Sequence, residues 1–196
     1  MSEFNYYIIY KPFGMLPQFK DEHGRPTLGQ LYPFPKDVYP VGRLDMDSEG
    51  LLLLTNDTTL NHKLLSPKFN HERTYYVQVE GAPDASIIPK FKAGFTIRIN
   101  KKDFRTKPAR ASWIADPQLP PREPPIRFRK TVPDSWLSLI LTEGKNRQVR
   151  KMTAKLGFPT LRLVRVGIEG LELGNMKPSD VIELSRASVY KKLFEK

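Results

Sequence analysis

The chain contains no cysteine, and this absence removes several classes of site at once. Disulfide bonds, zinc sites with thiolate ligands and cysteine nucleophiles are excluded, so the protein needs no oxidising compartment. Histidine is scarce as well. His23, His62 and His71 show no metal-ligand spacing, so we expect each to be an ordinary surface or loop residue and the protein to bind no metal.

Long hydrophobic runs are also missing. No segment approaches the ~18 apolar residues of a membrane-spanning helix. Residues 1–12 lack the basic start and the long apolar stretch of a signal peptide. We therefore expect a soluble cytoplasmic protein that does not contact a membrane. No interface pattern stands out, which favours a monomer, and 196 residues suit one domain, residues 1–196, with two lobes.

Acidic residues are few relative to basic ones. Asp and Glu number 21 against 32 Lys and Arg, which gives a formal net charge of +11. A protein with this balance commonly meets a polyanion, and nucleic acid is the first candidate. Charge alone leaves a second interpretation open, namely a basic enzyme with no such partner.

Short apolar and β-branched runs alternate irregularly with helical patterns. Strands are predicted at residues 6–10, 51–55, 75–80, 95–99, 110–115, 136–142, 161–166 and 181–184. Helices are predicted at residues 59–65, 84–93, 146–156 and 187–194, with a helical turn near residues 27–32. Thr58 is the predicted cap of the first helix, Pro89 makes the second doubtful, and Gly157 ends the third. This order predicts an α+β fold rather than a doubly wound one.

Residues 116–125 contain five prolines and cannot form a helix or a central strand. Nothing in this segment suggests chemistry. We interpret it as a rigid connection between the two lobes.

The most informative stretch is VGRLDMDSEGLLLLTND, residues 41–57. Its four leucines predict a buried strand, which the tight turn at Gly50 precedes. Asp45 therefore stands at the mouth of a core strand, where a rigid scaffold can hold a functional loop residue. The sequence makes Asp45 the first candidate for a nucleophile.

Two other motifs fail on inspection. Asp45, Asp47 and Glu49 resemble the first half of a calcium loop, but leucines follow at the later ligand positions and Asn56 replaces the terminal glutamate. Gly144-Lys145 is not a phosphate-binding loop, because the first glycine and the final Ser or Thr of that motif are missing.

A basic helical segment follows the turn at residues 143–144. Helical geometry predicts an apolar stripe of Val149, Met152 and Leu156, and an opposite face of Arg147, Lys151 and Lys155. Arg150 falls on the edge, where a half-buried arginine can pair with a carboxylate in a cleft. The free N–H groups at the helix start and the remaining cations could bind phosphate. An ordinary amphipathic helix with a solvated basic face is the alternative.

Three blocks, in this order, carry a family resemblance: GRLDMDSEGLLLLTND, RTYYVQVEG and LTEGKNRQVRKMTAKLGFPTLRLVRVGI. Together they resemble the pseudouridine synthases of the ribosomal-RNA branch. The resemblance implies the pseudouridine synthase fold: a mixed, mostly antiparallel sheet flanked by helices, with an active-site cleft between two lobes. The family usually carries an N-terminal S4-type RNA-binding domain. Here the first strand begins at once, so we expect a catalytic domain alone.

The resemblance also implies residue roles. Asp45 matches the essential aspartate, Tyr75 the tyrosine that stacks on the uracil and helps to remove the C5 proton, and Arg150 the basic residue that forms a salt bridge with the aspartate. Arg43 matches the arginine that enters the duplex in place of the flipped base. Arg73 stands where the family commonly has lysine. Contacts to RNA are further expected from Lys145, Asn146, Arg147, Gln148 and Lys151. Without the resemblance, Tyr75 would be a core strand residue and Arg43 a loop hydrogen-bonder.

The implied reaction converts uridine to pseudouridine in 23S rRNA after base flipping. It needs no cofactor, since no group is added and no net redox change occurs. Asp45 would add to C6 of the ring or act at C1′ of the ribose, and the sequence does not choose between these routes. Two alternatives remain: a synthase for tRNA or 16S rRNA, and a non-catalytic rRNA-binding assembly factor.

Overall fold

The computed structural model describes residues 4–126 and 131–195. The first three residues of the segment 1–12, in which no signal peptide was expected, lie outside the described residues. The strands are β1 (Tyr6–Lys11), β2 (Tyr39–Pro40), β3 (Glu49–Thr55), β4 (Arg73–Glu80), β5 (Thr96–Ile99), β6 (Lys102–Arg105), β7 (Arg110–Ile114), β8 (Asp134–Leu141), β9 (Thr160–Ile168), β10 (Leu171–Glu172) and β11 (Val181–Glu183). The helices are α1 (Thr58–Leu65), α2 (Ile87–Ala93), α3 (Gln148–Lys155) and α4 (Arg186–Phe194), with 3₁₀ turns at Leu28–Gln30 and Pro67–Phe69.

These elements form two compact units. Among the described residues, unit 1 comprises residues 4–71 and 165–195, and unit 2 comprises residues 72–126 and 131–164. The chain passes from one unit to the other inside β9, between Val164 and Arg165. Residues 116–125 lie wholly within unit 2, between β7 and β8. The prediction that they connect two lobes is therefore wrong: the division follows compact packing, and a proline-rich composition only marks the absence of regular structure.

Unit 1 is built on two strands that are buried along their whole length. β3 pairs antiparallel with β1, and β1 pairs antiparallel with β11. Every residue of β1 and β3 is buried. One set of alternating side chains, including Tyr7, Ile9 and Leu52, forms a hydrophobic cluster with loop residues that follow β1. Strands apolar on both faces must be covered on both sides, which explains the continuous leucine run.

The carboxylate of Asp57 joins three elements on the other side of β1. It accepts hydrogen bonds from the hydroxyls of Tyr6 in β1 (2.8 Å) and Tyr190 in α4 (2.7 Å). It also accepts one from the backbone N–H of Leu60 (3.0 Å) and thereby caps α1. The prediction that Thr58 caps this helix is therefore corrected by one residue; aspartate is among the best N-cap residues.

In unit 2, β4, β8 and β7 pair antiparallel in this order as part of the nine-stranded main sheet, and β5 and β6 form a separate hairpin. Helices α2 and α3 supply Phe91, Val149 and Met152 to the same hydrophobic cluster as the inward residues of β4 and β8. α2 begins at Ile87, so Pro89 lies in its first turn. A missing N–H costs no helical hydrogen bond there, and the proline is therefore tolerated.

The strands and helices confirm the α+β prediction, and the remaining differences have local causes. α3 begins at Gln148 rather than at residue 146, because Arg147 adopts a left-handed conformation (φ 53°). β6 was not predicted, since Phe104 is its only apolar residue. Within the described residues, every helix is too short or too polar to cross a bilayer.

Candidate functional site

Asp45 lies in the tight loop between β2 and β3 of unit 1, as its position before the leucine run predicted. The backbone N–H of Ser48 donates to the Asp45 carbonyl (3.0 Å), and that of Val41 donates to Leu53 (2.8 Å), so the loop closes directly onto a fully buried strand. The Asp45 side chain is half-buried. It therefore combines a rigid support with an exposed part, as a catalytic group requires.

Lys11 is a site residue that the sequence did not reveal. Its side chain is completely buried at the end of β1, and its ammonium group donates to the carbonyl oxygens of Pro12 (2.9 Å), Met15 (2.8 Å) and Met46 (3.4 Å). Met46 is next to Asp45, and its carbonyl also accepts from the N–H of Gly14 (2.8 Å). Lys11 thus holds the Asp45 loop against the segment that follows β1.

The electrostatics around Lys11 are strongly perturbed. Burial lowers the pKa of Lys11 to about 7, and the carboxylates of Glu49, Asp47 and Asp45 oppose this shift. The Arg165 guanidinium adds a smaller lowering of the same pKa. A buried lysine can keep its proton near neutral pH only because carbonyl and carboxylate oxygens compensate for its desolvation.

Arg165 is the second buried cation of this region. It is 3% exposed, and its Nε donates to the carbonyl of Leu51 in β3 (2.7 Å). Its Nη2 has no hydrogen-bond partner among the residues the structure describes. An arginine inside the apolar run LRLVRV is a sequence signal for a functional or structural cation, but the sequence alone does not reveal what it contacts.

Arg43 stands two residues before Asp45 on the same loop and is exposed. Gly42, which precedes it, has φ +73°, and a Cβ there would lie 3.0 Å from Leu65. Glycine therefore suits this turn sterically and conformationally. The role of Arg43 in the RNA duplex stays a prediction.

In unit 2, Tyr75 lies in β4 opposite Leu139 of β8. Alternation along the strand places it on the same face as Val77 and Val79, and it packs against the hydrophobic cluster of that face. The side chain is nevertheless only half-buried. Tyr75 thus has a core contact and an exposed part, and its stacking role stays a prediction.

Arg150 lies on α3 and is half-buried, as the helical edge position predicted. Its Nη1 lies 3.5 Å from the carbonyl oxygen of Thr160, at the long limit for a hydrogen bond. Val149 and Met152 of the same helix join the cluster that Tyr75 packs on, so Tyr75 and the helix that carries Arg150 share one core. Asp45 belongs to unit 1, and its salt bridge with Arg150 stays a prediction.

Gln148 fixes the loop before α3 and is not an exposed RNA contact. It is 4% exposed; its Nε2 donates to Glu143 (2.6 Å), and its Oε1 accepts from the backbone N–H of Lys145 (3.0 Å). Glu143 also accepts from the backbone N–H of Lys107 (2.8 Å). The expectation that Gln148 contacts RNA is corrected on this basis, since its amide is buried and already hydrogen-bonded.

The other predicted RNA-binding residues of this segment remain accessible. Lys145, Asn146 and Arg147 are exposed, and Lys151 is half-buried with its ammonium group 3.0 Å from the Asn146 carbonyl. In the part of the chain that the structure describes, no three His, Asp or Glu side chains converge as a metal site would require.

Sequence comparison identifies the family. The model of RNA pseudouridylate synthase matches residues 5–155, a range that contains Asp45, Tyr75 and Arg150. The chain belongs to the RNA pseudouridylate synthase family. This family agrees with the resemblance of the three sequence blocks. As an RNA pseudouridine synthase, the protein is an isomerase.

Two relatives of this synthase are similar over most of its length. The ribosomal large subunit pseudouridine synthase E of Vibrio vulnificus (strain CMCP6) is 47% identical over 188 residues, 96% of this chain and 78% of the relative. The protein of the same name from Xanthomonas axonopodis pv. citri (strain 306) is 49% identical over 174 residues, 87% of this chain and 89% of the relative.

A solved structure of this kind supports the fold. A crystal structure of a pseudouridylate synthase superposes with a TM-score of 0.80 at 27% identity and covers 98% of this chain and 75% of its own. The pseudouridine synthase fold that the resemblance implied is therefore confirmed.

Proposed function

We propose that this chain converts a uridine of 23S rRNA to pseudouridine. The observation that carries the proposal is the 47–49% identity, over 87–96% of the chain, to synthases named for the large ribosomal subunit. A net charge of +11 suits an RNA substrate. The expectations of a monomer and of a cytoplasmic location belong to the same proposal and rest on the sequence.

Asp45 is the nucleophile in this proposal. The N1–C1′ bond of uridine breaks and a C5–C1′ bond forms, while C5 loses a proton and N1 gains one. No electron pair leaves the nucleoside overall, so the reaction is an isomerisation. A carboxylate can form the covalent intermediate that divides this rearrangement into easier steps. Tyr75, beside the base, is the proposed stacking partner and acceptor for the C5 proton.

The carboxylate must stay ionised while the flipped base excludes water from it. Burial opposes ionisation of an aspartate, and a nearby cation favours it. Within unit 1, Lys11 interacts electrostatically with Asp45 and anchors the residue next to it. Arg150 is the proposed second cation, which pairs with Asp45 directly.

A uridine inside a helix is inaccessible to Asp45, so the base must be extruded. Extrusion costs roughly a few kcal/mol, which base stacking and phosphate contacts offset. The exposed side chain of Arg43 lies two residues from Asp45 and can occupy the space that the base leaves. The partly exposed ring of Tyr75 can stack on the extruded base.

The decisive experiment incubates the protein with unmodified 23S rRNA and maps pseudouridine by carbodiimide treatment and primer extension. We expect one new stop with the wild type and none with Asp45→Asn. Asp134→Asn, which removes an exposed carboxylate in β8, is the matched control and should retain the stop.

The same reaction with 16S rRNA and with tRNA separates the rival substrates. A new stop only in one of these RNAs would overturn the large-subunit assignment but retain the synthase. An undiminished stop with Asp45→Asn would contradict the role of Asp45. No stop in any RNA would favour a non-catalytic rRNA-binding protein.

A further inference from the structure

The β5–β6 hairpin has a lysine, Lys101, in a turn conformation that favours glycine, and a second lysine, Lys102, directly after it. Ile99 pairs with Lys102, so Asn100 and Lys101 form a two-residue turn, and both have positive φ (49° and 65°). Asparagine followed by glycine is the preferred sequence for such a turn. Lysine in the left-handed conformation costs free energy, and local strain of this kind is often retained for function. The geometry of the turn therefore does not explain Lys101.

Strand alternation sorts the side chains of this hairpin. Ile97 and Phe104 face each other in register and point to the core side, and Lys102 lies on that same face one pleat nearer the tip. Asp103 pairs with Arg98 on the opposite face. Asp103 is the only acidic residue between positions 96 and 105, so the hairpin places no carboxylate on the side of Lys102.

The loop before α3 brings a third lysine to this face. The ammonium group of Lys145 lies over the half-buried ring of Phe104, 5.3 Å from its centre. Glu143, which accepts hydrogen bonds from Gln148 and from the N–H of Lys107, joins the chain just after β6 to this loop. Lys102, which lies on the same strand face as Phe104, and Lys145 are therefore on the same side of the hairpin. We name Lys101, Lys102 and Lys145 the hairpin surface.

The hairpin surface is exposed and lacks neutralising partners. All three lysines are exposed, and among the described residues no carboxylate lies within 4.0 Å of their ammonium groups. A hydrogen-bonded turn and a fixed loop hold the three backbone positions. Exposed cations grouped in this way favour a polyanion with closely spaced charges, since releasing counterions from such a partner drives binding.

We propose that the hairpin surface binds the phosphate backbone of the RNA that surrounds the target uridine. The choice of RNA as the polyanion rests on the proposed function, whereas the arrangement of the three lysines is independent of that function. The surface contributes affinity and orientation rather than chemistry, because cations on phosphate position an RNA without reading its bases. It extends the expected RNA contacts from the segment around α3 to a hairpin more than 40 residues earlier in the chain.

The test compares the double variant Lys101→Gln with Lys102→Gln to a matched control. Lys191→Gln with Lys192→Gln removes two consecutive exposed lysines from α4 in unit 1. Binding to a 23S rRNA fragment is measured between 50 and 200 mM salt, and turnover is measured on the same RNA. We expect the hairpin variant to reduce the slope of log K against log salt by about 2, roughly one for each lost phosphate contact. KM should rise while kcat stays unchanged.

Each outcome decides one claim. An unchanged salt slope, or an equal loss in the α4 control, would overturn the hairpin proposal, because bulk charge would then explain binding. A reduced slope in a protein that forms no pseudouridine would support the surface and refute the proposed function. Binding to anionic vesicles that depends on Lys101 and Lys102, with RNA binding unaffected, would assign the surface to a membrane instead. Equal thermal unfolding midpoints of both variants exclude misfolding.

Discussion

Lys11→Met should change how stability depends on pH, because this lysine titrates at different pH in the folded and unfolded chain. The pKa of Lys11 falls from 10.5 to about 7 on folding, chiefly through burial. Between these values the unfolded chain holds one proton more than the folded chain at this position. The free energy of unfolding therefore rises with pH across this window, and below pH 7 the full cost of the buried charge applies.

The size of the effect follows from the same displacement of the pKa. About 1.4 kcal/mol for each unit gives roughly 5 kcal/mol over the whole window from pH 7 to 10.5. Wild type should thus gain up to about this amount relative to Lys11→Met as the pH rises. Lys11→Arg is the control, since a guanidinium stays protonated throughout and should show no such gain.

Urea unfolding followed by far-ultraviolet circular dichroism, at several pH values from 6 to 10.5, measures the difference between wild type and each variant. A difference that is flat from pH 7 to 10.5 would refute the reasoning. If Lys11→Met does not fold, the side-chain resonances of Lys11 in the wild type provide the same information by NMR. A titration midpoint near 10.5 would then contradict the lowered pKa.

Two further predictions concern Arg150 and the carboxylate network of unit 1. Arg150→Met should fold normally but lose most kcat on rRNA, because Asp45 would lose its proposed partner; full turnover would contradict the pairing. Tyr190→Phe should lower the free energy of unfolding by roughly 1.5–3 kcal/mol, as expected for a lost hydrogen bond to a charged acceptor. Burial alone would raise the pKa of Asp57, but hydrogen bonds from Leu60, Tyr190 and Tyr6 hold it below its usual value. The contribution of Asp57 to the free energy of unfolding should therefore be lost as the pH falls below about 4. Urea unfolding of the wild type and of Tyr190→Phe at pH 7 and at pH 3 checks this sign. The difference in free energy of unfolding between the two proteins should be smaller at pH 3.

The parts of the candidate site that depend on local pattern could be predicted from the sequence. Asp45 could be located because four consecutive leucines mark a buried strand and the loop before it is short. Arg150 could be placed at a helix edge because helical periodicity fixes its angle relative to Val149. In both cases the signal lies within about ten residues of the side chain concerned.

The parts that depend on distant contacts could not be predicted. Lys11 looked like the end of a strand, because its three carbonyl partners come from two separate loops and one of them, Met46, is 35 residues away. Gln148 was expected to contact RNA, because the sequence shows neither its hydrogen bond to Glu143 nor the left-handed conformation of Arg147 before it. Helix propensity gives no sign of that conformation.

The cations of this chain divide into two physical classes, and a count of charge conceals the division. Lys11 and Arg165 are buried, so their interactions act in a low dielectric and salt screens them little. The lysines of the hairpin surface are exposed, so their attraction to a polyanion weakens steeply with salt. The first class can hold a reacting carboxylate in place and set stability, whereas the second can only capture and orient a substrate. This is why the Lys11 variants are expected to alter pH-dependent stability and the hairpin variant to alter KM.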